Sequence, residues 1–163
     1  MLLEDEGRSL VYVPVANFAP GHEAAIEAML SHPFTLPALG DGGAHVGTIA
    51  DASACTYLLS EWVVRRRALT VERAIQLLTG RPAGVFGFAD RGLLAIGKKA
   101  DLNVIDLAGL AIARPVMHYD LPAGGKRFLQ AASGYRYTLV NGEVTFVDGT
   151  ATGSLPGAVV RRH

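Results

Sequence analysis

The sequence changes character at Gly87. Before it, apolar residues recur at helical spacing between short β-prone runs. After it, ten glycines from Gly92 to Gly157 punctuate strand-like runs. A chain so divided reads as strand–helix–strand–helix–helix to about residue 88, then as small all-β structure. In the first part, Leu10–Ala16 reads as a strand in which Pro14 removes one ladder donor. Glu23–Leu30 reads as a helix with acids in its first turn, stopped by His32-Pro33. Phe34–Leu39 is a second apolar run, ending in the glycine-rich turn Gly40-Asp41-Gly42-Gly43-Ala44-His45. Asp51 or Ser53 is placed to cap a helix running to about Arg67, with a basic last turn. Thr70 is placed to cap another over Val71–Thr79, with Ala74, Ile75, Leu77 and Leu78 inward. Gly80 and Pro82 are expected to end it, with a short helical turn at Ala83–Phe86.

In the second part, Leu102–Leu107, Tyr135–Val140 and Glu143–Val147 read as strands. Asn141-Gly142 between the last two is a hairpin signal. The 163 residues are 50% hydrophobic and 18% charged, which excludes a disordered chain. Fifteen Lys and Arg balance fifteen Asp and Glu, which disfavours a general nucleic-acid binder. The balance is uneven. Residues 1–50 carry Glu4, Asp5, Glu6, Glu23, Glu27 and Asp41 against Arg8 alone, and residues 81–163 carry ten bases against six acids. One cysteine, Cys55, excludes an internal disulfide and a cysteine-built zinc site, and fits a reducing, cytoplasmic setting. The start is acidic rather than signal-like, and no segment approaches the roughly 18 apolar residues of a membrane span.

Asp41 is the most suggestive position for chemistry. It follows an apolar run and lies among Gly40, Gly42 and Gly43, which let a backbone or ligand approach closely. An acid at the end of a barrel-type strand is where metal ligands and general bases sit, whereas Asp-Gly pairs are also common turn formers. On local sequence alone the turn reading is the stronger. His45, four residues on, is a partner for Asp41 or a structural hydrogen-bonder. His22, His32 and His118 are isolated, and no His-x-His or His-Glu-x-x-His occurs. Gly124-Gly-Lys126-Arg127 lacks the spacing of a phosphate loop, Arg65–Arg67 reads as a solvated helix end, and Cys55 as a small packing residue.

The run Leu39-Gly-Asp41-Gly-Gly-Ala-His45-Val-Gly resembles the strand-eight segment of amidohydrolase-superfamily enzymes, in particular the N-acyl-D-amino-acid deacylases. Leu77–Ala83 with Val85-Phe-Gly87 resembles the helix that follows. Asp90–Asp106, Asp120–Arg127, Val140–Glu143 and Asp148–Gly157 resemble the return into the family's β domain. The linked motifs cover nearly the whole chain from about Leu10.

The resemblance implies an α/β plus β chain. Residues 1–88 would be the last strands and helices of a partial (β/α) barrel, and residues 89–163 part of a small β-sandwich domain. It implies hydrolysis of the amide bond of N-acyl-D-amino acids with the help of zinc. Zinc lowers the pKa of bound water to about 7. A carboxylate at the position of Asp41 then shuttles the proton to the leaving nitrogen. Asp41 is the implied catalytic residue, and a metal-site residue only where other ligands are supplied; His45, Gly42 and Gly43 face the substrate. Family members are longer, and their histidine ligands from earlier strands have no counterpart here. Residues that relatives carry before Thr70 are also missing. The chain alone is therefore expected to be inactive and without zinc. It is expected to form homo-oligomers through exposed strand edges, or to associate with the missing N-terminal part. Neither a nucleic-acid nor a membrane partner is expected. The alternative reading is a catalytically dead module that acts only by oligomerising or by binding a partner.

Overall fold

The computed structural model describes residues 22–39, 45–48 and 52–161. The strand expected over residues 10–16 lies outside them, as do Asp41, Gly42 and Gly43. The chain divides into two units, residues 1–35 and 36–163.

In the first unit, α1 spans Glu23–Ser31, with Glu23 in its first turn as the helix dipole favours. His32 ends it in an extended conformation, as a residue before proline must, and donates its backbone N–H to Met29 O. The Phe34 backbone N–H donates to His32 Nδ1 at 3.2 Å, and the Thr35 hydroxyl donates to Met29 O. The helix buries none of its residues within the described structure. The apolar run Phe34–Leu39 is not a strand: it has no regular structure and no ladder partner among the described residues. Pro33 and Pro37 each lack the N–H that a ladder needs.

In the second unit, α2 begins at Ala54–Tyr57 and widens into a π-helical stretch over Leu58–Arg65. The widening shows in the Arg66 N–H, which donates to Glu61 O five residues back. Ser53 stands at the N-cap position but its side chain makes no capping bond. Cys55 is exposed rather than packed. Leu58, Leu59 and Trp62 share one face and are buried. Helix α3, Val71–Leu78, is capped as expected, with Thr70 Oγ1 accepting from the Arg73 N–H at 3.2 Å. Ala74 and Leu77 are fully buried, but Ile75 points outward.

Gly80 and Pro82 do not end the helical region. After a kink at Thr79 they begin α4, Gly80–Phe86, where Pro82 falls in the first turn and its missing N–H has no intrahelical partner to lose. Gly87, in a left-handed conformation, closes α4. Gly92 lies against this helix so closely that a Cβ on it would stand 2.6 Å from Ala83 Cβ.

Beyond residue 100 the chain is strand. A four-stranded antiparallel sheet has the order β1-β6-β7-β8, from β1 (Leu102–Ile105), β6 (Tyr135–Val140), β7 (Glu143–Val147) and β8 (Thr150–Ala151). β6 and β7 are joined at Asn141-Gly142, where both residues have positive φ, as a two-residue hairpin of this hand requires. Two ribbons complete the structure: β2 (Ala111–Ile112) with β5 (Ala132–Ser133), and β3 (Val116–Leu121) with β4 (Gly125–Leu129). The helical and strand regions of this unit meet where the Thr56 and Tyr135 hydroxyls bond at 2.8 Å. No described helix is long and apolar enough to cross a membrane.

Candidate functional site

Two elements frame the candidate site: the turn His45–Thr48 and strand β4. His45 adopts a left-handed backbone (φ 49°), which histidine tolerates better than bulkier or branched residues. Its carbonyl accepts twice from Thr48, from the backbone N–H at 2.7 Å and from the hydroxyl at 3.0 Å. The turn is thereby closed and the His45 side chain left exposed.

The turn is fixed to β4. The Phe128 N–H donates to Val46 O at 2.7 Å, so the turn extends the β3–β4 ribbon on its other edge. Gly47 lies against Lys126: a Cβ there would be 3.4 Å from Lys126 Cγ and 3.5 Å from Lys126 Cε. The ribbon itself is braced by Arg127, whose Nε and terminal nitrogen donate to the two carboxylate oxygens of Asp120 at 2.8 and 2.7 Å. That fork holds the Asp120 carboxyl below the usual aspartate range, with His118 adding a small charge effect.

Of the residues singled out in the sequence, the structure places His45 at the start of the turn whose Val46 and Gly47 meet Phe128 and Lys126. Asp41, Gly42 and Gly43 lie outside the described residues. Among the described residues no three His, Cys, Asp or Glu side chains group as a metal site.

The Asp120–Arg127 pair has a signal in the sequence that the phosphate-loop spacing does not show: an acid and a base seven residues apart across the Gly124-Gly125 turn. Arg65 and Arg66, read as a solvated helix end, both bond Glu61, and Arg66 also lies 5.0 Å over the Trp62 ring. Glu61 is thereby lowered from 4.5 to about 2, chiefly by the Arg65 hydrogen bond.

Residues 8–146 match the model of the amidohydrolase family. The chain is 36% identical over 107 residues to an N-acyl-D-glutamate deacylase of Alcaligenes xylosoxydans xylosoxydans, a match covering 66% of this chain and 20% of the deacylase. It is 37% identical over 68 residues to a dihydroorotase of Lactobacillus johnsonii, covering 42% of this chain and 16% of that protein. A crystal structure of a D-aminoacylase aligns with a TM-score of 0.48 and 28% identity, over 61% of this chain and 19% of that one. The chain thus spans about a fifth of the length of these relatives.

Proposed function

The chain belongs to the amidohydrolase family, and we propose that it is the C-terminal segment of an enzyme that hydrolyses the amide bond of N-acyl-D-amino acids. The observation that carries this is the identity of 36% over 107 residues to an N-acyl-D-glutamate deacylase. In this reading residues 1–88 are the closing part of a (β/α) barrel and residues 89–163 part of its β domain.

Asp41 is the acid–base residue of the proposed reaction. Its carboxylate takes a proton from the attacking water as the water oxygen bonds to the acyl carbon. It returns that proton to the amide nitrogen as the carbon–nitrogen bond breaks. Gly42 and Gly43 let the substrate approach the backbone, and His45 faces it from the closed turn. Zinc, when ligands from outside this chain complete a site with Asp41, supplies polarisation of the scissile carbonyl.

The test is amide hydrolysis of N-acetyl-D-glutamate by the 163-residue chain and by the polypeptide extended with its upstream coding sequence. The extended form is expected to hydrolyse it and to lose the activity in Asp41→Asn, while the short chain is inactive. Hydrolysis by the short chain with one zinc bound overturns the fragment reading. Preference for dihydroorotate in the extended form overturns the substrate.

A second reading, a partner-dependent or self-associating module, is favoured by the apolar surface. Ile75, Phe86, Leu93 and Leu94 are exposed and line a groove of about 790 Å³ that runs along β1. On the sheet, Val104 faces Tyr137 and Tyr137 faces Val147, and all three are exposed. Such a surface marks an interface or a covered face. Light scattering is expected to show a dimer or larger species; a strict monomer at high concentration removes this reading.

A further inference from the structure

We propose that Asn141-Gly142 is a site of spontaneous deamidation that the fold holds in check, and that the segment Lys99–Asp101 is the restraint.

The chemistry of the pair is the first support. Glycine has no side chain to shield its own backbone nitrogen, so the Gly142 nitrogen can reach the carboxamide of Asn141. That nitrogen attacks Asn141 Cγ, and the bond from Cγ to the carboxamide nitrogen breaks. Ammonia leaves with the proton that Gly142 gives up, and a five-membered imide remains. Water then opens the imide. Cleavage at Cγ yields aspartate, and cleavage at the main-chain carbonyl yields isoaspartate, which puts an extra carbon into the backbone. Both residues are exposed, so water reaches them.

The turn is the second. Asn141 and Gly142 have φ of 52° and 85°, the values of a type I′ turn. Ring closure needs the ψ of the asparagine rotated well away from the roughly +30° of the first position in such a turn. The turn must therefore open before the imide can form.

The restraint is the third. Three contacts from the residues just ahead of β1 oppose that opening. Asp101 Oδ1 accepts the Asn141 backbone N–H at 2.8 Å. Ala100 O accepts the Gly142 N–H at 2.9 Å, so the attacking nitrogen is itself bonded. Lys99 Nζ donates to Asn141 Oδ1 at 3.4 Å. Asp101 is fixed in turn by Arg91, which donates to its other oxygen at 2.8 Å.

The product would not fit back. Val140 pairs with Glu143 across a two-residue turn, and an isoaspartate at 141 breaks that register. The step is irreversible and proceeds when residues 99–101 release the hairpin. A chain that carries the product thus records that its sheet has been open.

The experiment is mass spectrometry of the 163-residue chain after incubation at neutral pH, folded and in guanidinium chloride. Trypsin releases residues 137–161 as one peptide, in which Asn141 is the single carboxamide side chain, so the mass change from amide to acid reports this site. The folded chain is expected to convert at least about ten-fold more slowly than the unfolded one. Asp101→Ala, shown to be folded by circular dichroism, is expected to bring the folded rate towards the unfolded one. Equal rates in the folded and unfolded parent chain overturn the proposal, as does an unfolded chain that does not convert. A folded Asp101→Ala that converts at the parent's rate overturns the restraint. Where Asp101→Ala does not fold, the parent chain in low guanidinium chloride takes its place. Conversion is then expected to rise in step with hydrogen exchange of the Gly142 amide, and conversion that does not follow that exchange overturns the restraint.

Discussion

The hydroxyls of Thr56 and Tyr135 bond at 2.8 Å across 79 residues of sequence, joining α2 to β6. Thr56 is 7% exposed, so its hydroxyl has little access to water. Removing one partner from such a pair leaves a buried polar group without its bond, which costs more than the bond contributes when whole. Tyr135→Phe is expected to lower stability by about 1 kcal/mol in urea unfolding. The double variant with Thr56→Val is expected to lose less than the two single losses combined. Additive losses would mean that the hydroxyls do not depend on each other.

The helical half depends on a few side chains. Leu77 is fully buried between α3 and its neighbours. Leu77→Ala is expected to cost about 2–5 kcal/mol, the range for emptying a well-packed leucine site. The cap is smaller in effect: Thr70→Ala removes the acceptor for the Arg73 N–H and is expected to cost about 1 kcal/mol. A Leu77→Ala loss no greater than that of Thr70→Ala would show that the site collapses around the smaller side chain.

Gly92 joins two constraints at one position. Its φ of +87° disfavours any L side chain, and a Cβ would stand 2.6 Å from Ala83 Cβ. Gly92→Ala is expected to destabilise the chain by more than the roughly 1–2 kcal/mol of the backbone conformation alone, since the packing against α4 must also open. The paired variant Gly92→Ala with Ala83→Gly relieves the contact with Ala83 but neither the 3.1 Å approach to Thr79 O nor the backbone conformation, and is expected to recover part of the loss. Thermal unfolding of the three variants measures the split.

These positions show what the sequence makes legible. Thr70 followed by an apolar periodic run announces a helix start, and Asn141-Gly142 between two β-prone runs announces a hairpin, because each is a local rule satisfied locally. The ribbons β2–β5 and β3–β4 carry no such mark. Their strands are short and lie 20 or fewer residues apart around irregular turns, and pairing is decided by register rather than by composition. Ile75 was expected inward from its periodicity, yet it borders the exposed groove beside β1. A helical stripe records which face is apolar, not whether anything within the described residues covers it. Of the candidate site, the sequence marks His45 by its glycine-rich turn. It does not mark the setting of Lys126, which is a tertiary contact with Gly47 and, among the described residues, no carboxylate paired with it as Asp120 is with Arg127.

Glu61 supplies a prediction in pH. Its side chain is 13% exposed, receives hydrogen bonds from Arg65 and Arg66, and has its pKa lowered from 4.5 to about 2, with the Arg65 bond the largest cause and burial opposing it. A carboxyl with a lowered folded-state pKa stabilises the fold at pH values above its unfolded value. That contribution shrinks as pH falls from about 4.5 towards about 2, because the unfolded chain takes up the proton first. The stability difference between the parent chain and Glu61→Gln is therefore expected to be constant above about pH 5 and to decline below it. Arg65 is mostly exposed, so added salt is expected to reduce the difference at neutral pH as well. Urea unfolding of both proteins across this pH range measures it, and a difference that stays flat down to pH 3 would show that the two arginines contribute nothing net through Glu61.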